Sequence, residues 1–313
     1  MILKMKPLFA SLCVAGTLLL GGCNDSETPS QQAEAAAPEL SPEQQNIAKY
    51  NVFVEAANGD NFSSYLDEYQ KYYADAIKNK EPLENYTAVL PSNIERQRKN
   101  LEKALAMKGD MPELDATGKP LSEALAKLEP LNKEMYNYVQ SKGFLSDKGK
   151  KAQEKDAAFI AALTEVVQTQ QAFYEAIAKR DEINIRTAFE NAEKDTLEYY
   201  RAGLVMYAKE TMHRSYDFFE SPSDEKLAAA FNESLDKLAE MAEGMNGKQD
   251  CSNLMMTVNS LLSNGRKSIA DAAKTDFTPR PTLQAALVSL NMDKTFFNRD
   301  FDHLIGALNN QVC

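Results

Sequence analysis

The sequence predicts an all-α protein: an elongated antiparallel bundle of long helices, tethered through a disordered N-terminal linker. Three observations predict it. No stretch alternates apolar and polar residues with period two over Val, Ile, Thr and aromatics, as a half-buried strand requires. Apolar residues instead recur at steps of three and four over long distances. Glycines and prolines cluster at a few points, where helices would end.

The elements follow in order. Ser41-Pro42-Glu43-Gln44 reads as a helix start: a serine cap, proline at the first helical position, and glutamine three residues after the cap. Ile47, Tyr50, Val54 and Ala57 form its stripe, which Asn58-Gly59-Asp60 breaks or kinks. Tyr65, Tyr69, Tyr72 and Ala76 continue toward Pro82. Ser92 with Glu95 reads as a second capping box, leading Leu101 and Leu105. Gly109, Pro112, Gly118 and Pro120 mark a loop. Leu121, Leu125, Leu128 and Met135 follow, with Pro130 expected to kink or split that helix.

The strongest periodicity comes next. Phe159, Leu163, Val166, Gln170, Phe173 and Ile177 alternate steps of four and three. Ile185, Phe189, Ala192, Thr196, Tyr199, Gly203 and Met206 do the same. Such spacing is the seam of an antiparallel bundle or coiled coil. The pattern allows either a polar turn at 179–182 or a helix that runs through. Ser223 then starts a helix carrying Leu227, Phe231, Leu235, Leu238 and Met245, closed by Gly244 and Gly247. Leu254, Val258, Leu261 and Ile269 form the next, ended by the DFTPRP stretch at 276–281. Leu283, Leu287, Phe297, Phe301, Leu304 and Leu308 form the last. Residues 41–313 are thus expected to be one helical-bundle domain, as a single bundle or as two bundles sharing a long helix.

The N-terminus has a different character. Lys4 and Lys6 precede an uncharged run over 7–20, shorter than the roughly 20 apolar residues a spanning helix needs. The run fits the middle of a secretory signal and ends Leu20-Gly21-Gly22-Cys23. That ending resembles the bacterial lipoprotein signal. The resemblance implies removal of residues 1–22 and acylation of Cys23, giving a membrane anchor through buried acyl chains. Residues 23–40, rich in Ser, Pro, Gln, Glu and Ala, are too poor in apolar side chains to order themselves and read as a flexible tether. The resemblance places the body on the periplasmic side. Asn24-Asp25 after the cysteine leans toward the outer membrane over the inner one.

The chain carries a net charge of −11, and its signal segment contributes two lysines and no acids. An acidic body argues against nucleic acid as a partner and against docking onto anionic lipid through a basic face. Of four cysteines, Cys13 leaves with the signal and Cys23 is acylated. Cys251 and Cys313 remain as an even pair in an exported protein and are expected to bond, contributing ~4 kcal/mol on a chain-entropy model.

Three stretches look like one family: KYNVFVEAANG at 49–59 with YLDEYQKYY after it, MYNYVQSKGFLSDKGKK at 135–151, and FFNRDFDHLIGALNN near the end. They resemble the YiiG-like bacterial lipoproteins. The resemblance covers about 45–310 and implies an all-helical, anchored protein with no established function. Where that family often has Gly-Lys and then a histidine, this chain has Ala152, Gln153 and Asp156.

Chemistry is sparse. There are only two histidines. His213 and Asp217 share a helix face, with Glu210 near; that spacing alone is a poor metal site, and none is expected. His303 with Asp300 reads as a local charge pair. No H-E-x-x-H, P-loop, G-x-G-x-x-G or G-x-S-x-G occurs, so neither enzyme nor cofactor is expected. The 13 tyrosines, with no tryptophan, are the feature that points to a ligand. Tyr69, Tyr72, Tyr199, Tyr216 and Asp217 are candidates for an aromatic, acidic groove holding a small cationic solute. The leading expectation is a non-enzymatic interaction or structural module contacting an envelope protein through its 150–220 helices, with the tethered cation-binding protein as the alternative.

Overall fold

The computed structural model describes residues 40–84, 86, 88–278 and 281–310, and all regular structure among them is helical. Helices α1 (Pro42–Ala57), α2 (Phe62–Glu68) and α3 (Ala74–Asn79) come first, with a π-helical turn at Tyr69–Tyr73 between the last two. Then follow α4 (Pro91–Ala106), α5 (Pro112–Gln140), the short α6 (Phe144–Asp147) and the 42-residue α7 (Lys150–Asn191). Helices α8 (Leu197–Glu220), α9 (Glu225–Lys248), α10 (Ser252–Lys274) and α11 (Pro281–Asn309) complete the chain. Residues 1–22, Cys23 and nearly all of the 24–40 stretch lie outside the described residues. Among those described, no helix is long and apolar enough to cross a membrane.

Several helix ends differ from expectation, each for a local reason. The Ser41–Gln44 box forms as read, with both reciprocal hydrogen bonds. Helix α4 instead begins at Pro91, and its cap, Leu90, makes no side-chain bond. The ring that fixes φ outweighs Ser92 one position later. Gly118 and Pro120 are not loop residues but lie inside α5, and Pro130 does not split it. Both prolines are exposed, so the carbonyls they orphan at Ala116 and Ala126 can turn to water. Helix α7 runs through 179–182, where no glycine or proline interrupts it. The second seam is broken at 192–196, where Asp195 is left-handed at φ 63° and Thr196 caps α8. Asp224, not Ser223, caps α9, accepting from the N–H groups of Lys226 and Leu227. Gly244 and Gly247 sit inside that helix.

Contacts divide the chain into two compact units that meet within α7, the first closing at Lys179 and the second opening at Arg180. In unit 1, α1 through α3 run antiparallel to α7. Phe53 packs on Phe173 with ring centroids 5.9 Å apart, and Gln153 Nε2 donates to the Lys78 carbonyl at 3.2 Å. Helix α5 runs antiparallel to α7 on another side, with Lys127–Glu165 at 2.7 Å and Lys151–Glu134 at 3.0 Å. Helix α4 packs on α1 and α5.

Gln170 lies in the apolar α7 seam and is only 2 % exposed. Its amide accepts from Phe62 N–H at 3.1 Å and donates to the Asp60 carbonyl at 2.7 Å. It thereby satisfies backbone groups exposed by the α1–α2 break. Unit 2 is an up-down-up-down bundle. Contacts Phe218–Phe231, Gly203–Met241, Leu235–Gly265 and Lys267–Asp293 set the antiparallel order α8–α9–α10–α11. Phe219–Phe297 and Arg201 with the Leu308 carbonyl bring α11 back against α8. Ile185 and Phe189 at the end of α7 join this second core.

Candidate functional site

The tyrosines predicted to share a groove fall in different units, Tyr69 and Tyr72 in unit 1 and Tyr199, Tyr216 and Asp217 in unit 2. Within unit 1 the π turn decides their fates. The Ala74 N–H donates to the Tyr69 carbonyl, five residues back, so the turn holds one residue more than an α-turn. Tyr69 consequently faces α7, where its hydroxyl donates to Asp156 Oδ1 at 2.5 Å. Tyr72 faces outward at 57 % exposure, with Lys71 Nζ 4.7 Å from its ring centroid.

Tyr65, Tyr69, Tyr73 and Tyr86 line a cavity of about 10 Å³ against Phe159 and Leu163. That volume holds at most a single water. Tyr73 and Tyr86 pack at 4.8 Å between centroids. Burial, reinforced by the hydrogen bond to Asp156, pushes the Tyr69 hydroxyl well above the ordinary phenol range. Burial does the same for Tyr86, with the Asp156 charge adding to it. These phenols are neutral donors and fill space; the arrangement is a satisfied core edge rather than an open receptor.

In unit 2, Tyr199 stacks on Phe189 at 4.8 Å and meets Tyr200 edge-on at 5.4 Å. Tyr216 is half-buried under Lys294, whose Nζ lies 5.6 Å from its ring. Burial raises its pKa, with Asp302 adding to the shift. Asp217 reaches only His213, at 4.0 Å, and that histidine is largely exposed. Among the described residues no three His, Cys, Asp or Glu side chains gather as metal ligands. His303 does not hold Asp300 as expected. Asp300 is instead turned into α10, where Ser260 and Asn264 donate to it. Cys251 is 1 % exposed at the head of α10, its N–H donating to Asn246 Oδ1 at 3.0 Å. Cys313 lies outside the described residues.

Unit 2 has a cleft of about 380 Å³ between the end of α8 and the first half of α11. Phe219 and Pro222 form one wall; Leu287, Val288 and Asn291 form the other. Beside it Val288, Met292 and Phe296 recur every fourth residue and are 53 %, 54 % and 39 % exposed. Helix α11 thus carries two apolar stripes, one buried through Phe297, Phe301 and Leu304 and one facing water. Leu287, expected on the first, is 41 % exposed and stands in the cleft wall. The second was legible in the four-residue step of large apolar residues at 288, 292 and 296. The apolar seams of α7 and α8 lie in the two cores, and Ile183 is an exposed large aliphatic on those helices.

No curated protein and no solved structure matches the chain. A family model does, over residues 44–284, from within α1 to the start of α11. The helical body described above therefore belongs to the family described as proteins of unknown function, DUF3829.

Proposed function

We propose that this protein is a lipid-anchored, non-enzymatic interaction module of the bacterial envelope. It acts by receiving an amphipathic helix of another envelope protein on the outer stripe of α11. The observation that carries the reading is that stripe: Val288, Met292 and Phe296 exposed in register on α11, the first of them in the wall of a cleft that Phe219, Pro222 and Leu287 also line. Apolar residues at helical spacing flanking a groove are the geometry of helix-in-groove recognition. Single exposed apolar residues are ordinary, but a contiguous patch of this kind marks an interaction site.

The anchor reading rests on the order of Lys4, Lys6, the uncharged 7–20 run and Leu20-Gly21-Gly22-Cys23, together with the likeness to YiiG-like lipoproteins. It places the body in the periplasm, on the outer membrane in preference to the inner. In that oxidising compartment Cys251 pairs with Cys313. The alternative, capture of a small cation by tyrosines, is less supported. The tyrosine-lined cavity has room for one water, and the Tyr72 and Tyr216 rings already carry Lys71 and Lys294.

Photo-crosslinking in intact cells tests the reading. A crosslinker at Met292 should give one discrete adduct, absent with the crosslinker at Ile183 and lost when Leu287→Asp is added. Equal adducts at both positions, or none at Met292, would refute it. Mass spectrometry of the same preparation should find a diacylglyceryl group on Cys23.

A further inference from the structure

The 135–151 stretch that carries part of the family likeness builds one end of unit 1, and its construction has no use in the α11 reading. Helix α5 ends at Gln140, and Lys142 turns the chain in the left-handed region at φ 53°. The single turn of α6 follows. Lys148 at φ 59° and Gly149 at φ 77° then lead into α7. Asp147 fixes this turn, accepting from the Tyr138 hydroxyl at 2.6 Å and from the N–H groups of Gly149 and Lys151, each at 3.0 Å. Phe144 is buried beneath it, while its neighbour Leu145 stands 60 % exposed at the tip.

The C-terminus of α3 is brought to the same place. Lys80, itself left-handed at φ 59°, has its Cα within 3.4 Å of where a Cβ on Gly149 would lie. The Lys78 carbonyl accepts from Gln153 Nε2. Exposed Lys78, Lys80, Lys142, Lys148 and Lys150 therefore share one end of the unit with exposed Leu145. Three of the acids nearby are engaged, while Asp75 and Glu84 stand exposed close to these lysines in the chain. Glu134 is held by Lys151 and Lys155, Glu81 accepts from Asn79, and Asp147 is committed to the turn. Lys150 reaches Glu154 only at 3.7 Å, in an exposed pair. Lys78, Lys80, Lys142 and Lys148 make no ion pair among the described residues.

Three of these lysines occupy left-handed positions after helices, where glycine or asparagine is the unstrained choice. Lysine is strained there, and the strain points to a use for the side chain. Part of that use is electrostatic, since a cation near helix C-termini offsets the exposed carbonyls. That accounts for one charge per helix end. It does not account for five exposed charges around a bare leucine.

We propose that this end of unit 1 docks onto an anionic phospholipid surface, with the lysines on the phosphates and Leu145 entering the headgroup–acyl boundary. Clustered basic residues attract anionic headgroups, and an apolar side chain among them adds contact that only a bilayer offers. A soluble polyanion would use the lysines and leave Leu145 in water. The acidity of the whole chain, which argues against such a face, is a sum; what a membrane meets is the local field.

The chain contains no tryptophan, so Leu145→Trp in the full chain places a sole reporter at the tip. Its emission should shift to the blue with vesicles of phosphatidylcholine and phosphatidylglycerol mixed in a roughly 2:1 ratio, and binding there should be on the order of tenfold tighter than to phosphatidylcholine alone. Salt at roughly 0.5 M should reverse the shift. Met256→Trp, an exposed site on α10, should not respond. Adding Lys80→Gly, Lys142→Gly and Lys148→Gly should abolish the response while leaving Tm unchanged or higher, because glycine suits those backbone angles. The proposal is overturned if Leu145→Trp emission is the same in both vesicles, if Met256→Trp shifts equally, or if the glycine variant still responds. It is also overturned if heparin moves the emission and vesicles do not, which would make the partner a soluble polyanion.

Discussion

The Tyr138 hydroxyl donates to Asp147 Oδ1 at 2.6 Å, tying the last turn of α5 to the residue that caps the first turn of α7. The bond holds Asp147 below the usual carboxylate range, with the Lys151, Gly149 and Lys150 backbone adding to it. On Tyr138 burial raises the pKa first, and the same bond adds to it. A carboxylate depressed on folding stabilises the native state above its unfolded pKa of about 3.9, and that contribution is lost as pH falls through the folded value. Tyr138→Phe should therefore move the Asp147 titration, followed by carboxyl NMR, upward toward the ordinary value. Its stability deficit at neutral pH should vanish in acid, below both pKa values. A deficit independent of pH would mean that the hydroxyl does not act through the Asp147 charge.

Two glycines in unit 2 give opposite expectations. A Cβ on Gly265 would lie 2.9 Å from Leu235 Cδ1 and 3.2 Å from Phe297, both fully buried. Gly265→Ala should destabilise by about 1–3 kcal/mol through overpacking. A Cβ on Gly247 would meet nothing within 4 Å. Gly247→Ala should stabilise by about 0.5 kcal/mol or more, because a helical glycine costs more chain entropy than alanine. Urea unfolding of the two variants reads both signs.

Asp300 is 3 % exposed and accepts from Ser260 Oγ at 2.7 Å and Asn264 Nδ2 at 2.6 Å, pinning α11 to α10. Burial raises its pKa, but donors from Ser260, Arg299 and Asn264 outweigh that and hold it below the usual range. Asp300→Ala should cost about 1–3 kcal/mol at pH 7, the range for a polar group deprived of its partner. By the same sign as for Asp147, the gap from wild type should narrow as pH falls below the ordinary carboxylate value. Urea midpoints measured across pH 7 to acid check both the size and the slope.

What was legible in advance follows from the range of the interactions concerned. The Ser41–Gln44 box is closed by residues three apart, so its letters suffice. The break at 276–281 is equally local: α10 ends at Lys274, and α11 opens at Pro281, the first helical position, where a missing N–H costs nothing. Pro91 against Ser92 was a contest between two local signals one residue apart. The break at 192–196 rests on a local signal that the longer apolar period masked: Asp195 is left-handed, and Thr196 accepts from the Tyr199 N–H to cap α8. Gln170 looked like one more seam position. Its role depends on Asp60 and Phe62, more than a hundred residues away, whose backbone it satisfies. The orientation of the tyrosines was not legible for the same reason. A one-residue π turn at Tyr69–Tyr73 chooses which rings face α7, and periodicity carries no signal for it.

By itself the sequence determined the all-helical class, the capped start of α1 and the buried apolar stripes, because each depends on bonds or burial repeating within a turn or two along the chain. Only the tertiary structure decided that the body divides into two units within α7, that the outer stripe of α11 stays in water, and that lysines from 78–80 and 142–150 stand together around Leu145. Those outcomes depend on which distant segments approach, and the net charge of a chain says nothing about where its charges meet.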